Sequence, residues 1–151
     1  MQMAWSSYAH LPNEENEYRS ILSELKNEMS VSEVDEVIAK VKGKGHVSHH
    51  YRSNLARIGL FDVRGGKVYL NYDATVLKRE KPYLKKVLSE CLLRCKNMEI
   101  DMVEAIVWQN QAYDLKKVVD GMKKNYPELE KNNIARWIRP VVNLLKIIDY
   151  L

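Results

Sequence analysis

The stretch Ser48–Tyr72, SHHYRSNLARIGLFDVRGGKVYLNY, constrains the fold more than any other part of the chain. At about 100° per residue, Tyr51, Leu55 and Ile58 fall on one face of a helix. His49, Arg52, Ser53, Ala56 and Arg57 lie on its other sides. Ser48 is expected to cap this helix and Gly59 to end it. Leu60, Phe61 and Val63 then begin a strand, Gly65-Gly66 turns it, and Val68-Tyr69-Leu70 returns. A two-residue Gly-Gly loop between apolar runs is a hairpin signal, because the tight hairpin turns need positive φ that only glycine adopts without cost.

Helical patterns flank this unit. In NEENEYRSILSELKNE, Tyr18, Ile21, Leu22 and Leu25 have helical spacing, and Glu14, Glu15 and Glu17 suit a helix start. After a break at Met29-Ser30-Val31, Ser30 with Glu33 fits a capping box, with Ser32 as the competing cap. Val34, Val37, Ile38 and Val41 then form one stripe that ends at Gly43 and Gly45. Beyond Asp73 the pattern stays helical. Thr75–Lys81 reads as a short helix or loop stopped by Pro82, and YLKKVLSECLLRC as a strong helix. MEIDMVEAIVWQN reads as another, although Ile106-Val107-Trp108 also suits a strand. DLKKVVDGMKKNY is capped by Asp114, and IARWIRPVVNLLKII by Asn132 or Asn133, with Pro140 expected to kink or divide it. The expected fold class is mainly α with a small β-hairpin, α+β. The expected division is an arm over 1–13 pinned by Trp5 and Tyr8, a first unit over 14–73 and a second over 74–151.

An internal repeat supports two related units. Asn54-Leu55-Ala56-Arg57-Ile58 and Leu60-Phe61-Asp62 match Asn143-Leu144-Leu145-Lys146-Ile147 and Ile148-Asp149 in order, and Val34, Ile38 and Val41 match Leu115, Val119 and Met122 in pattern. The second unit reaches Leu151 before a hairpin forms, so its hairpin is expected to be absent or truncated.

Charge is distributed unevenly. Residues 1–75 hold nine Lys/Arg and ten Asp/Glu, whereas residues 76–151 hold fifteen and ten. Within 40–67 stand Lys40, Lys42, Lys44, Arg52, Arg57, Arg64 and Lys67 against Asp62 alone. Cations gathered on one subelement are what a phosphate-binding surface requires. No apolar run approaches the roughly 18 residues of a membrane span, and the first residues lack the pattern of a signal peptide, so a cytoplasmic location is expected. Cys91 and Cys95 share a helical face and read as small buried residues. His46, His49 and His50 lack partner ligands at metal spacing, and no metal or cofactor is implied. Glycine-rich phosphate loops, His-Glu-x-x-His and Gly-x-Ser-x-Gly are missing from the sequence, and Glu24-Leu25-Lys26 has no acidic partner strand. The chain reads as non-catalytic by itself.

Residues 17–72 resemble the winged helix-turn-helix superfamily in their order: helix, helix, glycine-containing turn, the helix VSHHYRSNLARIGLF and the wing VRGGKVYLN. Residues 82–151 resemble a second, divergent copy. The resemblance implies double-stranded DNA binding, with the third helix as reader. On that reading His49, His50, Arg52, Ser53 and Asn54 meet base edges, and Arg57, Lys42, Lys44, Arg64 and Lys67 meet phosphates. In the second unit Trp137, Val141 and Leu144 turn inward, leaving Arg136, Arg139, Asn143 and Lys146 as a second basic stripe. The spacing from Trp137 to Leu144 is similar to that in DNA-reading modules of bacterial restriction and defence proteins, which implies a separate nuclease or other catalytic domain as partner; transcription regulation is the other setting. The rival expectation is a protein-interaction adaptor built on the acidic first helix and the apolar 98–108 segment. A third is a homodimer formed through YLKKVLSECLLRC.

Overall fold

The computed structural model describes residues 8–43, 47–94 and 97–151. The protein is mainly helical with one small antiparallel sheet. It divides into two compact units, Glu14–Cys95 and Met1–Asn13 with Lys96–Leu151. No described helix is long and apolar enough to cross a membrane.

The unit Glu14–Cys95 begins with α1 (Glu15–Leu22), which buries Tyr18, Ile21 and Leu22. This helix is shorter than its apolar spacing predicts. The chain must leave it to form β1 (Met29–Ser30), and Glu28, at φ 65°, donates its N–H to the Val68 carbonyl at 2.8 Å. Next, α2 (Val31–Lys42) starts on the predicted capping box. Ser30 Oγ accepts from the Glu33 N–H at 3.2 Å, and Glu33 Oε1 accepts from the Ser30 N–H at 3.1 Å. Hydrogen bonding from Ser30 to the Glu33 carboxyl holds it below its usual range, the Ser30 backbone N–H contributing most and its side chain next.

The third helix, α3 (Ser48–Arg57), starts one residue earlier than expected. Its N-cap is Val47, which offers no side-chain cap, and Ser48 is the first helical residue and is buried. The predicted hairpin is present as β2 (Phe61–Arg64) and β3 (Lys67–Leu70), paired from Phe61↔Leu70 to Arg64↔Lys67. Gly65 and Gly66 turn it at φ 57° and 76°, the positive values such a turn demands. The sheet order is β1-β3-β2, with Met29 opposite Val68. The strand β1 was not visible in the sequence, because two residues carry no period.

The same unit runs on past residue 73, where the sequence placed its end. Asp73 caps α4 (Ala74–Arg79), and α5 (Tyr83–Arg94) follows. Long-range bonds tie both back to the earlier elements. Arg19 donates to the carbonyls of Leu77 at 3.5 Å and Lys81 at 3.0 Å. The Tyr72 hydroxyl donates to the Leu22 carbonyl at 2.6 Å, and the Cys91 thiol to the Gly59 carbonyl at 3.1 Å. Burial raises the Tyr72 hydroxyl well above its ordinary value. Cys91 is buried as expected, and Cys95 lies outside the described residues.

In the other unit, Asn97 caps α6 (Met98–Asn110), helical through Ile106-Val107-Trp108. Asp114 caps α7 (Leu115–Asn125) as predicted, its carboxylate accepting from the Lys117 N–H at 3.2 Å. Where α6 meets α7, a Cβ on Gly121 would stand 2.7 Å from Ile106 Cδ1, so glycine permits that approach. The last helix, α8 (Lys131–Ile147), has its N-cap at Glu130, so Asn132 and Asn133 lie inside its first turn. Pro140 does not divide it: one helix runs through the proline, which is itself buried. Ile134, Ile138, Val141, Leu144 and Leu145 form its buried stripe, and that stripe sets against the loss of one backbone bond. Tyr8 and Leu11 are buried, and the Tyr8 hydroxyl bonds the Asn97 amide. Trp5 lies outside the described residues.

The matched helix ends of the repeat carry the same terminal geometry. Leu60 N–H donates to Leu55 O at 3.1 Å past Gly59 at φ 89°, and Tyr150 N–H to Leu145 O at 3.0 Å past Asp149 at φ 54°. Both are six-to-one closures of a helix C-terminus. Aligned on these ends, however, Asn54 falls on Leu144 rather than Asn143. Moreover, α6 closes likewise, with Ala112 N–H on Val107 O at 3.3 Å, so the motif is not particular to the repeat.

Candidate nucleic-acid interface

The outer side of α3 presents His49, His50 and Ser53, all exposed. His49, Ser53 and Arg57 follow one another at four-residue steps and so lie along one stripe. The imidazole rings of His49 and His50 lie 4.1 Å apart and tilted by 39°. Arg57 is half-buried, and its guanidinium donates to Asn54 Oδ1 at 2.9 Å.

Asn54 itself is turned inward, only 5% exposed. It does not belong with the outward residues. It stands three residues after Tyr51 and four before Ile58, on the apolar stripe itself. That spacing was the signal for burial.

Two of the expected phosphate or base contacts are already engaged by carboxylates. Arg52 lies against Asp35, with Nε to Oδ1 at 2.8 Å and Nη2 to Oδ2 at 3.4 Å. This two-pronged pair bridges α3 to α2. The Lys42 ammonium sits 2.6 Å from Glu17 Oε2 and 5.3 Å from the centre of the Tyr51 ring. Partial burial alone would lower the Lys42 value, but the Glu17 bond and the Tyr51 and Glu17 charges outweigh it, and the net direction is upward. Lys44 and His46 lie outside the described residues.

On the hairpin, Arg64 and Lys67 are exposed and face each other across the two strands. The Arg64 guanidinium lies 4.2 Å from the centre of the Tyr69 ring. Stacking of this kind limits the rotamers of a long side chain and leaves its donors outward. Sequence reasoning did not single out Tyr69; it lies two residues from Lys67 on the returning strand.

In the second unit Arg136, Arg139 and Lys146 are exposed on α8, as the pattern predicts. Val141 and Leu144 are buried, and Trp137 is half-buried. Asn143 is half-buried and donates to Asn13 Oδ1 at 2.9 Å. The described residues contain no group of three or more His, Cys, Asp or Glu able to hold a metal ion.

Sequence reasoning also passed over the corner where α4 meets α5. It carries a groove of about 470 Å³ lined by Arg79, Glu80, Lys81, Pro82, Tyr83 and Lys86. The cation run there is interrupted by a proline, so it read as a linker.

Compared with protein-family models, curated proteins and solved structures, the chain matches none.

Proposed function

We propose that this chain is a double-stranded DNA-binding module of the winged helix-turn-helix kind, non-catalytic by itself. The observation that carries this reading is the outward stripe of α3 followed at once by a hairpin whose exposed arms are Arg64 and Lys67. A helix of this width fits the major groove, and the cationic hairpin beside it suits the flanking backbone. Sheet order β1-β3-β2, with the hairpin anchored on the strand before α2, supports the winged-helix reading over a free-standing hairpin.

The ion pairs alter the division of labour. His49, His50 and Ser53 are the base-facing candidates. Arg52 serves first to fix α3 against α2, and Arg64 and Lys67 take the phosphate role. Arg136, Arg139 and Lys146 form the second basic stripe, on the second unit. A cytoplasmic setting, a nuclease or other catalytic partner, and work in restriction, defence or transcription regulation all follow from this reading, and homodimerisation through α5 fits it as well.

Titration of duplex DNA at several salt concentrations tests the proposal. Binding that weakens steeply with salt supports it, and no binding at low salt removes it. A second reading, a protein-interaction adaptor, draws on two exposed apolar side chains, Leu93 at 69% and Trp108 at 58%. Protein capture lost on Trp108→Ala, with no duplex binding, would favour it.

A further inference from the structure

We infer that the corner between α4 and α5 is a phosphate-binding site; that the phosphates are those of duplex DNA rests on the reading above. Residues 78–86 hold Lys78, Arg79, Lys81, Lys85 and Lys86 against Glu80. This is a denser run of cations than 40–67. Lys78, Arg79, Lys81 and Lys86 are exposed and make no ion pair among the described residues. The contrast is with Lys42 and Arg52, which are held by carboxylates. Arg79, Lys81 and Lys86 share the walls of one groove of about 470 Å³, wide enough for a phosphate with its water.

The backbone beneath them is fixed from several sides. Arg19 binds the Leu77 and Lys81 carbonyls, and Tyr83 N–H donates to Glu80 O at 3.1 Å. Asp73 N–H donates to the Tyr83 hydroxyl at 3.0 Å, which ties the start of α5 to the start of α4. A fixed backbone removes its own share of the cost of ordering these cations around an anion.

Inorganic pyrophosphate, titrated while backbone amide signals are followed, tests the site without DNA. Expected are saturable shifts confined to residues 79–86, lost in Arg79→Gln/Lys81→Gln/Lys86→Gln while the remaining signals overlay. No saturable shift there, or equal shifts at every lysine, overturns the site. Should the triple variant fail to fold, Lys81→Gln alone must weaken pyrophosphate at least several-fold. On a duplex, the triple variant should flatten the plot of log affinity against log salt by about 2–3 units. Duplex binding with an unchanged slope removes the corner as a DNA contact and leaves the DNA reading intact. Pyrophosphate binding without duplex binding does the reverse.

Discussion

Arg52 shows how one side chain can be legible by type and illegible by role. The wheel turns it outward, but Asp35 on α2 holds it at 2.8 Å. A half-buried pair of this kind contributes on the order of 1 kcal/mol to stability, so its use lies largely in orientation. Asp35→Asn is therefore expected to leave unfolding free energy within about 1 kcal/mol of the original. The same change should steepen the salt dependence of duplex binding by about 1 unit, as Arg52 becomes available to a phosphate. Unchanged salt dependence would show that Arg52 does not reach the DNA. Tyr18 offers a second test at this scale. Its hydroxyl is fully buried with no hydrogen-bond partner among the described residues, and burial drives its ionisation far above the ordinary range. Tyr18→Phe removes that unsatisfied group while keeping the ring, so urea unfolding should show stability unchanged or raised by about 1 kcal/mol. A clear loss would mean that the hydroxyl is satisfied in solution.

Among the elements, those set by local chemistry were readable from the sequence. The Ser30/Glu33 box, the Asp114 cap and the Gly65-Gly66 turn each depend on residues within four positions of one another, and all three form as expected. Two misses are local, the caps expected at Ser48 and at Asn132 or Asn133, and the others depend on distant partners. The strand β1 exists only through its pairing with β3, and α4 and α5 join the first unit through Arg19 and Cys91. The inward turn of Asn54 was readable, but its polar type outweighed its position on the wheel. The capping box also yields a pH prediction. Because the folded Glu33 carboxyl is held below its unfolded value, its contribution is present above the unfolded value of 4.5 and is lost as pH falls through the lower folded value. The stability difference between the original and Glu33→Ala should thus be present at neutral pH and close in acid. A difference that stays constant into acid would contradict a charge-dependent box. Ser30→Ala should cost about 1 kcal/mol.

At the scale of the molecule, the two compact units divide the basic surface between them. Glu14–Cys95 carries the α3 stripe, the hairpin and the α4–α5 corner, and the other unit carries the α8 stripe. The sequence showed the helical stripes because each repeats within one helix. It did not show the corner, because its cations lie on either side of Pro82 and are gathered by the chain's turn. Most directly decisive is the affinity for a duplex of about 20 base pairs measured from 50 to 200 mM salt. A surface that engages several phosphates predicts a straight log–log decline, with a slope near −0.9 for each phosphate contacted. No measurable binding at 50 mM salt, or an affinity indifferent to salt, would contradict a DNA-binding role for this chain.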